Sequence, residues 1–417
     1  MFAAPPDPAE QEVKPLRDDV QLHKGAELSD GSPTFLVQDP LANTYIHIGW
    51  REFEILSRWD HGISGAICEA VNAQTTLTIE VMDVLALEGF LKNNFLLRLD
   101  AAELQEIESK SKTAKDSMAD MMLASKVLFP KFPLVHPERF LKATYPLIAF
   151  AFHPFFWWIT ALAFAWGLFN AFQRSGEFAA SFPDLFSIES AIYIGVILLI
   201  SKFVHEFAHA YSMVRHGLKV PVMGIALLLF WPVLFTETSD SWRLKERGKR
   251  MQIAAAGMVA ELALASFSLL AWGFVGDGFL RSGLAMAATS LWVLTIAVNA
   301  NPLIRFDGYF ILSELVAMDN LSTRSMALGK QKLKYWMVGL KDPDPELIAS
   351  QRERRILLTY FSAALVYRVI LYTGLAGGIY YLAGPEVGVI LGAIMLLVFL
   401  VKPTLTVLIK WAVEALK

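Results

Sequence analysis

The chain has 417 residues, 55% of them hydrophobic and only 18% charged, with a formal net charge of −3. Soluble chains average about 25% charged residues, so this is a membrane protein's composition, and the net charge says nothing about a nucleic-acid partner. A single cysteine, Cys68, excludes an internal disulfide and reads as a small buried hydrophobe.

Taken in chain order, residues 1–25 are rich in proline and charge without apolar periodicity and read as a mobile tail. The first residues are neither basic nor followed by an apolar core, so no cleavable signal peptide is expected and the chain is expected to start in the cytoplasm. Residues 26–100 read as a small α+β module. Segments 34–38 and 44–48 alternate like strands about a turn at 39–43. Helical patterns follow near 50–60, 63–73 and 75–89, the last from a Thr75–Thr76 cap to Gly89. A strand pair with three short helices is winged-helix-like, which raises DNA binding. Between Glu27 and Asp100, however, four basic residues stand against eleven acidic ones, and no nucleic-acid partner is expected. Residues 101–141 read as a connecting helix, over 101–126, and a linker.

The remainder reads as mainly α and polytopic. Residues 143–173 run 31 positions without a charge, more than the roughly 20 that cross a bilayer. Further spans at 190–214, 251–276, 282–304, 356–383 and 387–409 bring the number to six. His153 before Pro154 marks a kink in the first span. Between the second and third, 17 uncharged residues at 220–236 are broken by Pro221, Gly224 and Pro232. That segment is too short to cross and reads as a re-entrant loop or hairpin. The domains expected are a membrane core at 142–316, a basic segment at 317–355 and a C-terminal pair of spans at 356–417. Basic residues at 243–250 and eight Lys or Arg at 317–355 place these loops, and both chain ends, on the cytoplasmic side.

The second span contains His205-Glu206-Phe207-Ala208-His209. Residues four apart share a helix face, so His205 and His209 can present two imidazoles to one zinc, while Glu206 points a quarter-turn aside. Zinc makes a water acidic enough for such a carboxylate to take its proton. Imidazoles and carboxylates at membrane depth are costly unless paired or ligated. A catalytic zinc needs a third protein ligand, and Asp307, after Pro302 and before Gly308, is the candidate. The alternative for Asp307 is a salt bridge with Arg305. Asn299 and Asn301 are candidates for holding substrate or an oxyanion, or for capping a broken helix. Lys202 sits four residues before Glu206, where it can pair with it and make it a poorer base, or turn away. Glu261 and Arg368, charges inside spans, suggest a mutual ion pair.

The two motifs, His205-Glu206-x-x-His209 and Asn301-Pro302 with Asp307-Gly308, resemble those of the site-2 protease family of intramembrane zinc metalloproteases, over roughly residues 190–316. Phe235 to Arg243 and Asp307 to Glu314 are similar to its bacterial branch of peptide zinc metalloproteases, often linked with export. The resemblance implies zinc held by His205, His209 and Asp307, with Glu206 catalytic. It further implies hydrolysis of a peptide or membrane-protein substrate in or near the bilayer of a bacterial inner membrane. One departure is Met258 after Gly257, where the family often has proline. Residues 35–49 with 52–56 resemble PqqD-like modules, which implies a leader peptide or export partner added to the sheet edge; the alternative is a packing domain alone. The rival function is a non-proteolytic membrane subunit of a peptide-export complex. A transcription regulator is disfavoured by the module's acidity, and a metal-ion transporter by the lack of a second set of intramembrane ligands.

Overall fold

The computed structural model describes residues 7–25, 33–40, 44–98, 100, 131–182, 188–228, 231–339 and 351–415; the connecting helix expected at 101–126 lies outside them. Two compact units, 1–297 and 298–417, are described in turn.

The first unit opens with a three-stranded antiparallel sheet, β1 (Gln21–Lys24), β2 (Phe35–Asp39) and β3 (Thr44–Ile48), in that order. It is followed by α1 (Trp50–Leu56), α2 (Ser64–Gln74) and α3 (Val81–Asn93). Alternation decides which sheet face is buried: Val37 and Ile48 enter a core with Ile55, Ile67, Val71, Val84 and Leu91. Each such aliphatic side chain contributes about 1.5–3 kcal/mol on burial. Cys68 belongs to that core, where burial pushes its thiol pKa up. The architecture is the winged-helix-like one expected.

Two expectations are corrected here. Residues 8–25 do not trail away as a tail. Val13 is buried in the module core, bridges join Glu12 to Ile63 and Leu16 to Leu97, and Arg17 pairs with Asp39 at 2.8 Å. Their apolar residues touch the module singly, too sparsely spaced to leave a period in the sequence. The third helix begins at Val81 rather than near Thr75, because Asp83 reaches back to the Glu80 backbone N–H at 2.8 Å and sets the N-terminus there.

A second antiparallel sheet joins β4 (Lys131–Val135), β5 (Met223–Leu228) and β6 (Trp231–Thr236), with β5 in the centre. The interrupted segment is thus a hairpin, as its prolines suggested, while β4 was not anticipated. Helices α4 (Glu138–Ile148) and α5 (Pro154–Gln173) divide the first uncharged run at His153, whose Nδ1 accepts from the Phe155 backbone N–H at 3.2 Å. Then come α6 (Ile188–Arg215), α7 (Arg247–Trp272) and α8 (Phe279–Leu294), and α7 packs against α5, α6 and α8. The N-terminal module meets this membrane part through the outer face of its sheet. Tyr45 donates to Asp240 at 2.7 Å and His47 sets its edge against Trp242.

In the second unit, α9 (Asp307–Val316), α10 (Leu321–Val338), α11 (Gln351–Leu396) and α12 (Lys402–Ala415) follow a π-helical turn, Thr295–Asn299, that ends the preceding helix. Tyr309, Leu321, Leu328, Leu357 and Tyr360 form a core shared by α9, α10 and α11. Within α11 the chain kinks at Gly384 (φ 78°), where the turn between the last two spans was expected. Six helices among the described residues are long and apolar enough to cross a membrane: Pro154–Gln173, Ser190–Arg215, Arg247–Trp272, Phe279–Asn299, Gln351–Tyr381 and Ala383–Val413.

Candidate metal centre

His205, Glu206 and His209 lie in the C-terminal half of α6, where the helix leaves its lipid-facing stretch (Ile192, Val196, Leu199, Ile200 and Phe203 are exposed) and packs against α7. Both imidazoles are buried. Each ring has a neighbour at Nδ1: that of His209 donates to the Ile253 carbonyl at 2.7 Å, and that of His205 lies 3.2 Å from the Glu261 carboxylate. A carbonyl can only accept, so the His209 Nδ1 carries the proton and its Nε2 presents a lone pair. Those two Nε2 atoms face each other at 3.2 Å.

Two buried imidazole nitrogens converging from one helix face are the arrangement a metal requires. The backbone keeps the space open. Gly257 of α7 comes up against the pair, and a Cβ there would stand 2.5 Å from Nε2 of His205 and 2.6 Å from Nε2 of His209. These residues fit a zinc ion. Among the described residues the Glu206 carboxylate, half-buried one position along the helix, has no ion-pair partner. Its backbone carbonyl accepts from the Thr236 hydroxyl at 3.1 Å, which ties the end of β6 to the motif.

Two of the charged residues behave otherwise than the sequence suggested. Lys202 does not pair with Glu206; its ammonium meets Glu261 at 2.6 Å. Glu261 therefore takes its counter-charge from Lys202, where Arg368 had been the expected partner. It also accepts from the hydroxyls of Ser201 at 3.0 Å and Thr295 at 2.7 Å. The sequence marked Glu261 as a charge inside a span but gave no sign that it met His205, since the two lie on separate helices 56 residues apart.

In the second unit, Asp307 is the first residue of α9 and half-buried. The turn before it is tight: a Cβ on Gly308 would stand 2.3 Å from the Ala300 carbonyl oxygen, so only glycine lets α9 start there. Tyr360 steadies the same turn by donating to the Pro302 carbonyl at 3.2 Å. Arg305, the alternative partner for Asp307, donates instead to Thr323 at 2.5 Å. Asn301 caps the turn, accepting from the Leu303 N–H at 2.9 Å, which is the capping role weighed for it; Asn299 is buried.

A helical membrane core with a buried pair of converging imidazoles and a neighbouring carboxylate presents the donor set of a candidate metal centre. Residues 193–295 match the model of Peptidase family M50, a family of intramembrane zinc metalloproteases. The matched stretch carries His205, Glu206, His209, Gly257 and Glu261 and ends before Asp307. No curated protein and no solved structure matches the chain.

Proposed function

We propose that the chain is an intramembrane zinc metalloprotease of the site-2 protease type, cutting a peptide bond in or near a membrane segment of a peptide or protein substrate. The observation that carries this reading is the pair of Nε2 atoms converging at 3.2 Å over Gly257, with Glu206 beside them. Zinc would be held by His205, His209 and Asp307, and when bound it polarises the scissile carbonyl and acidifies water. Glu206 takes a proton from the attacking water as its oxygen bonds to the carbonyl carbon. It then returns that proton to the leaving nitrogen as the carbon–nitrogen bond breaks. Asn299, or Asn301 where its capping duty allows, steadies the substrate backbone or the oxyanion.

A helical substrate hides its carbonyls and must unwind first. In the sheet order β4–β5–β6, β6 is an edge strand anchored to the zinc helix through Thr236, so an extended substrate adds to it as a further strand. The N-terminal module supplies a recognition site for a leader peptide or an export partner. A cavity of about 400 Å³ between β3, α1 and α3, lined by His47, Arg51, Glu52, Asp83, Leu87 and Phe90, supports that role. The setting is a bacterial inner membrane, with both ends of the chain and the basic segments on the cytoplasmic side.

The test is a comparison of membrane peptides from cells carrying wild type or Glu206→Gln, read by mass spectrometry, with zinc content measured on both proteins. A protease gives products that vanish in the variant while zinc stays. Identical peptide profiles would favour the non-proteolytic export subunit.

A further inference from the structure

We propose that Glu261 is the positioning residue for the metal pair: it fixes the ring of His205 and at the same time draws Lys202 away from Glu206. This rests on the reading of His205 and His209 as zinc ligands.

The carboxylate is 2% exposed and, from its place on α7, collects groups from two other elements: Ser201, Lys202 and His205 of α6 and, just beyond α8, Thr295. A charge at this depth is expensive, and a neutral, well-packed set of side chains would hold helices together at least as well. Its distribution of contacts shows what the charge is suited to do. Oε1 alone takes the Lys202 ammonium at 2.6 Å and the Ser201 hydroxyl at 3.0 Å and lies 3.2 Å from Nδ1 of His205. His209, by contrast, is oriented by a neutral backbone carbonyl. A carboxylate behind an imidazole fixes the tautomer and makes the other nitrogen a stronger donor to a metal. Lys202 lies at the four-residue spacing from which it could neutralise Glu206. Its contact with Glu261 removes it from that neighbourhood.

The experiment compares zinc affinity in the purified full-length protein by chelator competition for wild type, Glu261→Gln/Lys202→Met and Glu261→Leu/Lys202→Met, with the visible spectrum of the cobalt-substituted forms. Both double variants remove the two charges together, so neither leaves an unpaired ion in the membrane. The leucine variant should bind zinc about 10–100-fold more weakly and shift the cobalt bands. The glutamine variant, which keeps an oxygen for Nδ1–H, should recover part of both. A purely structural pair predicts folded variants with wild-type affinity and an unchanged cobalt spectrum, and that result would overturn the proposal. Wild type that binds no zinc overturns instead the metal reading beneath it.

Discussion

Replacing Gly257 by alanine adds one methyl group to a helix that tolerates alanine better than glycine by about 0.5–1 kcal/mol. The effect should nonetheless fall on the metal site. The new carbon would stand 2.5 Å from Cε1 and Nε2 of His205 and 2.6 Å from Nε2 of His209. Comfortable contact is about 3.5 Å, so both nitrogens must retreat by about 1 Å. Zinc–nitrogen bonds tolerate only about 0.2 Å. Neither ring can give way cheaply, because His209 would leave the Ile253 carbonyl and His205 would leave Glu261. Loss of such supporting bonds alone weakens a metal by about 10–100-fold, and misplacing both ligands should exceed the upper figure, more than about 2.7 kcal/mol. Chelator competition on purified Gly257→Ala measures this directly. Gly248→Ala serves as the control, since a Cβ there meets nothing within 4 Å. A folded Gly257→Ala protein with wild-type zinc affinity would refute the idea that this glycine holds the metal's space open.

Two further perturbations probe the surroundings. Tyr45→Phe removes the donor to Asp240, a bond to a charged acceptor worth about 1.5–3 kcal/mol, and amide exchange over residues 44–48 should quicken; unchanged exchange would show that the contact does not hold the module. Burial and, secondarily, the charge of Arg215 hold the imidazole of His216 below its ordinary pKa of 6.5. The folded chain then binds fewer protons there than the unfolded one, so this contribution is full above pH 6.5 and is lost as the pH falls below it. Thermal unfolding between pH 7.5 and 5 should show that slope in wild type and a flatter one in His216→Gln.

Much of the site was legible in the sequence because its chemistry is local. The four-residue spacing of His205 and His209 puts both on one face of any helix, and Pro221 with Pro232 forbids a straight crossing. What could not be read depends on separate helices meeting. Lys202 has two carboxylates within plausible reach, and the choice of Glu261 over Glu206 follows from how α6 lies on α7. Gly257 was noticed only for its neighbour Met258, because closeness to two imidazoles leaves no trace in a one-dimensional pattern. β4 went unread for a related reason. Lys131–Val135 contains a proline and exposes Phe132, Leu134 and Val135, and it becomes a strand only because β5 offers it an edge.

Asp240 receives the phenol of Tyr45 on one oxygen and the backbone N–H of Lys219 on the other, with Arg243 alongside. It therefore pins the N-terminal module at the very place where the chain enters and leaves the hairpin. Residues 8–98 are for that reason not a portable cassette. A substitute domain grafted in their place would have to bring its own hydroxyl to the same carboxylate, or leave the hairpin's root with one anchor fewer.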